Sequence, residues 1–217
     1  MRVRSTHICV LANPVETWPA RYEGIALQPS SNNSHHWILD RDWLRAYDEA
    51  SIGVSLMTTR TSRCGIAYDL HRLVAGRKFI LGGVELEFEK GPAGHSDGDV
   101  LSHAICDALL GAGGLGDIGT HFPDTDAKWK GTSSLVFLQH ARKLLDERGC
   151  RITHIDAVVI TERPKLTLHF AGMWTVLARA LGIDAAQINL KAKTNEGVDA
   201  IGRGEAIAAH AVATIES

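Results

Sequence analysis

The chain has 217 residues, 45% of them hydrophobic and 22% charged, which is enough for one substantial core and too little for two large domains. A formal charge of -2 and a pI near 6.6, with no basic run or interleaved aromatic stripe, leave no electrostatic case for nucleic-acid binding. No apolar stretch nears the roughly twenty residues that cross a bilayer, and Cys9, Cys64, Cys106 and Cys150 form no C-x-x-C pair, so reduced thiols in a cytoplasmic protein without membrane contact are expected.

The first sixty or so residues differ from the rest. They hold Trp18, Trp37 and Trp43, a polar stretch from Gln28 to His36, and few periodic apolar positions; Trp37 to Ala50 is predicted as one short helix. Ile8 to Ala12 is too short for the core of a signal peptide, and Glu16, Glu23, Asp40 and Asp42 argue against an organelle transit peptide. Residues 1–62 are therefore expected to be an N-terminal extension and 63–217 the functional domain. Met57 opens a loose polar lead, Thr58 to Ser62, and is expected to be the true initiator, with 1–56 an upstream misreading; the intact mass of the native protein tests this.

Ile66 to Leu73 reads as a strand, so Asp69 and His71, two apart, project from the same side. Asp99 to Ala112 has a helical rhythm of apolar residues, and its other face carries Asp99, His103 and Asp107 at four-residue steps. One carboxylate and two imidazoles suit zinc or a similar ion with a fourth position open, and Asp99 or Asp107 is expected to orient His103. The plain alternative for Asp69 and His71 alone is a polar surface pair. His95 and Ser96 precede the helix, where unpaired N–H groups favour phosphate, although Ser96 or Asp97 also fits a simple helix cap.

Gly111, Gly113 and Gly116 match G-x-G-x-x-G, but they follow a helix and lead into a loop, which excludes the dinucleotide reading and leaves a helix stop. The acid-rich loop Asp117 to Asp126 suits a hard cation, a polyol, or an ordinary solvated turn. Ile155 to Ile160 is predicted as a buried strand, followed by a rigid turn in which Lys165 is either a phosphate contact or an exposed charge. Ile188 to Thr194 alternates like a strand, Asn195-Glu196-Gly197 breaks it, and Gly202-Arg203-Gly204-Glu205 reads as an anion site or as a turn bridged by an Arg–Glu ion pair.

These motifs in this order resemble the 2-C-methyl-D-erythritol 2,4-cyclodiphosphate synthases, the cyclases of the non-mevalonate isoprenoid pathway. The resemblance rests on Tyr68-Asp69-Leu70-His71-Arg72, Ile80 to Val84, Gly94-His95-Ser96-Asp97-Gly98-Asp99, Asp107 to Gly111, Gly116 to Gly119, His121 to Asp126, Pro164-Lys165 and Gly202 to Glu205, and spans Gly65 to about Ile215. It implies an intramolecular phosphoryl transfer that closes 4-diphosphocytidyl-2-C-methyl-D-erythritol 2-phosphate into a cyclodiphosphate and expels CMP. It also implies one zinc per subunit on Asp69, His71 and His103, and a second divalent cation, Mg2+ or Mn2+, near Glu196. His95 and Thr194 match the residues that stabilise the transition state, and Ser96 helps place the phosphates.

By the same resemblance, Asp117, Ile118 and Gly119, with Phe122, Pro123, Asp124, Thr125 and Asp126, grip the erythritol hydroxyls. Thr161, Glu162, Arg163, Pro164, Lys165, Leu166 and Thr167 form the cytidine pocket with Ala192, Lys193, Thr194 and Asn195, while Ala200 and Arg203 line a central cavity. The implied fold is α+β, a mixed β-sheet with helices on one face, in a homotrimer around a central axis with sites between subunits. The alanine-rich Ala206 to Ile215 tests it, since propensity favours helix and the family has a strand there. Ala200 stands where many relatives have phenylalanine, Lys193 and Asn195 replace threonines, and Ala67 replaces a glycine. A metal-dependent phosphohydrolase on a nucleotide-linked polyol phosphate is the second reading, and a phosphate-ligand binding module without turnover the third.

Overall fold

The computed structural model of the chain describes residues 60–217, together with two short strands, β1 (Gln28–Pro29) and β2 (Trp37–Ile38), paired antiparallel. The chain divides into two units, Met1–Thr58 and Thr59–Ser217. Trp37 and Ile38 are strand rather than the start of a helix, because cross-strand pairing with Gln28–Pro29 takes their backbone groups. The rest of the expected Trp37–Ala50 helix, and the expectations for Met57, lie outside the described residues.

The second unit opens with β3 (Ser62–Ala75), longer than the predicted Ile66 to Leu73 because its ends keep pairing after the apolar alternation stops. The hairpin β4 (Phe79–Leu81) and β5 (Val84–Leu86) follows, then β6 (Lys90–Pro92). Two helices come next, α1 (Val100–Gly113) and the short α2 (Ile118–His121), and then α3 (Leu135–Glu147). Strand β7 (Arg151–Ile160), helix α4 (Phe170–Leu181), strand β8 (Ile188–Lys193), the one-turn α5 (Asp199–Gly202) and strand β9 (Ala206–Glu216) complete it. No helix among the described residues is long and apolar enough to cross a membrane.

The main sheet has the order β6-β3-β9-β7-β8, antiparallel except for the parallel pair β7 and β8, so it is mixed. Ala206–Glu216 is a strand despite its alanines: β3 and β7 pair with it on both sides, and ladder hydrogen bonds outweigh a few tenths of a kcal/mol per residue of helix propensity. The alanines also let α1 approach closely. Gly65 shows how closely, since a Cβ there would lie 2.0 Å from the Ala108 carbonyl oxygen and 2.4 Å from the Ala112 nitrogen.

Helices α1, α3 and α4 cover one face, where Leu101, Ile105, Leu109, Leu138, Leu145, Leu177, Ile155 and Ile215 are fully buried. On β3, Gly65 and Leu73 are buried and Ala67, Asp69 and His71 half-buried, while the alternate residues Ile66, Tyr68 and Leu70 lie on the other face, exposed by 76%, 52% and 45%. The face away from the helices is thus apolar and bare along β3 in the single chain.

Candidate metal centre and phosphate site

Strand alternation turns Asp69 and His71 toward α1, and the first turns of α1 bring His103 to meet them. Asp69 Oδ2 lies 3.0 Å from His71 Nε2 and 2.9 Å from His103 Nδ1, and the two ring nitrogens are 3.0 Å apart. Three donor atoms therefore form a nearly equilateral triangle. A tetrahedral ion at about 2.0–2.1 Å from each donor places them about 3.3 Å apart, so the triangle fits one with its fourth position open. The chemistry of the donors, two imidazoles and a carboxylate, suits zinc, and this is the one such cluster among the described residues.

The electrostatics agree. Burial works against ionising Asp69, but hydrogen bonds and charge from His103 and His71 outweigh it and hold the carboxyl well below its usual range. Burial likewise opposes a charged His71, and Asp69 together with a hydrogen bond to the Ala93 backbone reverses the sign and raises its pKa. The ionised Asp69 carboxylate is what draws a positive charge to this point, and a metal ion there would take the place of the His71 proton.

The residues behind His103 are not the expected ones. Asp99 caps α1: its Oδ1 accepts from Ser102 N at 3.0 Å and Gly82 N at 2.9 Å, and its Oδ2 from Gly83 N and the Ser102 hydroxyl, both at 2.7 Å. It is fully buried and ties the β4–β5 turn, where both glycines have left-handed φ, to the helix start. Asp107 Oδ1 accepts from Ile118 N at 2.6 Å instead of reaching the imidazole. Both acids are short and face backbone donors of neighbouring turns, which outcompete a ring one helical turn away. His103 Nε2 meets Ser96 Oγ at 2.9 Å and Ser134 Oγ at 2.8 Å. Ser96 therefore serves the imidazole and not the cap. Sequence reading missed Ser134; its only local signal is its place before the apolar helix α3, which suggests a cap.

In the acid-rich loop, Asp117 caps α2 through Thr120 N, and Asp126 caps a single turn at Ala127–Trp129 and pairs with Lys128 at 2.7 Å. Phe122 is buried in an aromatic cluster with Phe137, Trp129 and His140, so it offers a ligand backbone more than ring. Asp124 and Thr125 are exposed or half-exposed beside it, as are Pro123, Ile118 and Gly119.

Two further loops leave the same end of the sheet. After β7, Thr161 is buried and its hydroxyl bonds to the Arg163 carbonyl at 2.7 Å; Leu166 is buried beneath it. Glu162, Arg163, Pro164 and Lys165, with Phe88, line a recess of about 370 Å³. After β8, Thr194 Oγ1 donates to Glu196 Oε1 at 2.6 Å, and Glu162 Oε1 accepts from Asn195 N at 2.8 Å and Gly197 N at 3.3 Å, clamping the two loops together. Glu196 holds a left-handed φ of 50°. Thr167 follows in a single turn, Ala192 and Lys193 end β8, and Ala200 packs with Ile201, Ala206 and Ala208. Arg203 and Glu205 form the bidentate ion pair of the plain alternative, both contacts at 3.0 Å, on the surface.

The register puts Asp69, His71, Ile160 and Lys193 at one end of the sheet, since Leu70 pairs with Ala208, Ala208 with Ile160, and Ile160 with Lys193. Within one chain, however, β9 and β7 stand between β3 and β8. Three spacings of about 4.8 Å separate the metal-facing strand from the Thr194 strand by about 14 Å.

Residues 62–216 match the model of the YgbB family. The 2-C-methyl-D-erythritol 2,4-cyclodiphosphate synthase of Desulfosudis oleivorans is 61% identical over 153 residues, which cover 70% of this chain and 91% of that protein. A solved structure of 2C-methyl-D-erythritol-2,4-cyclodiphosphate synthase in a CDP-bound form is 40% identical, with a TM-score of 0.64 over 70% of this chain and 98% of that one. The bifunctional IspDF of Campylobacter jejuni is 35% identical with a TM-score of 0.67, covering 73% of this chain and 43% of that longer one.

Proposed function

The chain belongs to the YgbB family, and from that membership we propose that it converts 4-diphosphocytidyl-2-C-methyl-D-erythritol 2-phosphate to 2-C-methyl-D-erythritol 2,4-cyclodiphosphate and CMP. The observation that carries the reading is the triangle of Asp69, His71 and His103 with an open side, in a chain 61% identical to a synthase of that name. Residues 63–217 are the synthase domain in this reading, and residues 1–62 an extension to it.

Intramolecular transfer asks a protein to fold one substrate back on itself and to neutralise charge, with no water admitted as nucleophile. Asp69, His71 and His103 would hold zinc, which when bound supplies Lewis acidity to a phosphoryl oxygen. His95 and the Thr194 hydroxyl donate to oxygens on which charge grows, and Ser96, buried beside His103, places the phosphate. The loop Asp117 to Asp126 holds the methylerythritol hydroxyls, and the recess at Glu162–Lys165 takes the cytidine. Glu196 would help hold a second divalent cation, Mg2+ or Mn2+, which would neutralise phosphate charge.

The about 14 Å between β3 and β8 within one chain argues that a complete site draws on two subunits. The exposed Ile66, Tyr68 and Leu70 supply an apolar face for neighbours to cover. Both support assembly through that face, and a homotrimer is the form that the resemblance to the synthases implies. Incubation of the zinc-loaded protein with the cytidylyl substrate, followed by phosphorus NMR of the products, tests the reading. CMP and a cyclic diphosphate are expected; a linear diphosphate would indicate hydrolysis, and binding without turnover a ligand-holding module.

A further inference from the structure

Ser134 occupies the N-cap position of α3, yet its hydroxyl caps nothing. A serine there ordinarily accepts a hydrogen bond from an N–H of the first helical turn. Here the hydroxyl, fully buried, is drawn the other way. Its oxygen sits against Asp97 Oδ1 and 2.8 Å from His103 Nε2, with Ser96 Oγ at 3.3 Å. Asp97 is fixed in its turn: Oδ2 accepts from Ser134 N at 3.0 Å, Oδ1 from Asp99 N at 3.2 Å, and its own N–H donates to the Thr132 carbonyl.

The direction of each bond follows from what each group can do. An ionised Asp97 only accepts, so the one proton of the Ser134 hydroxyl goes to it. The Ser134 oxygen is then left with lone pairs alone for His103, and a neutral imidazole can meet them only with its proton on Nε2. In that tautomer Nδ1 keeps its lone pair inside the triangle; the Asp69 carboxylate, 2.9 Å from Nδ1, alone draws the proton there, so Ser134 and Asp97 act against Asp69 and toward the tautomer that a cation needs. Ser96 cannot enforce this by itself, because no carboxylate holds its hydroxyl and its proton is free to turn toward or away from the ring.

We infer that Ser134 and Asp97 are positioning residues that select the His103 tautomer able to ligate a metal ion. This rests on the metal-site reading above, and it concerns two residues 37 positions apart in the chain.

The test uses the full chain and zinc itself. In metal-free wild-type protein at about pH 8, long-range nitrogen–proton correlation should show a population of His103 protonated on Nε2 despite the Asp69 carboxylate at Nδ1. In Ser134→Ala that population should fall in favour of Nδ1 protonation toward Asp69, and zinc affinity measured against a competing chelator should fall about 10- to 100-fold, while the urea midpoint moves little. Asp97→Ala, which removes the acceptor and frees the Ser134 proton, should shift the tautomer in the same sense and carries the test should Ser134→Ala not fold. A wild-type ring without any Nε2-protonated population, or an unchanged tautomer balance and zinc affinity in the variants, would overturn the relay. So would a loss of zinc that only tracks unfolding while the tautomer stays put. Wild-type protein with the expected tautomer but no zinc binding would leave the relay standing and sink the metal reading instead.

Discussion

Gly65→Ala is a single-carbon test of how the donor triangle is held together. Gly65 does not use a left-handed φ, and alanine is acceptable in a strand beside α1, so the cost is steric. The added carbon would lie 2.0 Å from the Ala108 oxygen, where such a pair ordinarily keeps about 3.3 Å or more, so helix and strand must part by about 1.3 Å. Ala108 lies five residues, about 7.5 Å along the helix, from His103. A metal site tolerates ligand displacements of about 0.2 Å. Even a fifth of the wedge, passed along a stiff helix, uses that tolerance. We expect destabilisation of about 3 kcal/mol, the upper range for overpacking, and zinc affinity lowered at least tenfold. Urea denaturation and chelator competition measure the two. A variant that unfolds at the wild-type midpoint and binds zinc within twofold would refute the reasoning that this contact sets the ligand spacing.

Asp99→Ala strands the N–H groups of Gly82, Gly83 and Ser102 in the core, and should cost about 4 kcal/mol by urea denaturation, with Asp99→Asn milder. Glu162→Ala releases Asn195 N and Gly197 N, so KM for the cytidylyl substrate should rise about tenfold while the urea midpoint barely moves. Burial raises the pKa of Asp107 above its ordinary value, with Ile118 N partly opposing. Such a carboxyl stabilises the fold while protonated, and that contribution is lost as pH rises from the unfolded value through the raised folded one. Relative to Asp107→Asn, the wild type should therefore lose stability across that window, read as urea midpoints at a series of pH values.

The parts of the fold legible in the sequence are those whose periodicity is local. Asp69 and His71 two apart on a strand, and His103 on a helix with an apolar stripe, are readable from spacing alone, and the structure sets their donor atoms about 3 Å apart. Spacing could not place strand ends: β3 and β7 run past their apolar cores because partners exist there to pair with. The Ala206–Glu216 strand defies its composition, and only its family resemblance pointed the right way, because the deciding hydrogen bonds come from strands more than a hundred residues earlier and about fifty earlier. The support behind His103 was assigned to Asp99 and Asp107 because they share its helix face. Ser96 and Ser134 hold it instead, and Ser134 is brought in by a loop that leaves no mark at either residue.

The order of strands has a genetic reading. The Asp69–His71 strand and the Thr194 strand are separated by two others in the sheet, so in the two-subunit site proposed above a broken copy would be rescued by a differently broken one. Two alleles, one defective at His103 and one at Thr194, would each be null alone. If each centre draws its halves from adjacent copies, as proposed above, the two co-expressed and randomly assembled would regain about one intact centre in four.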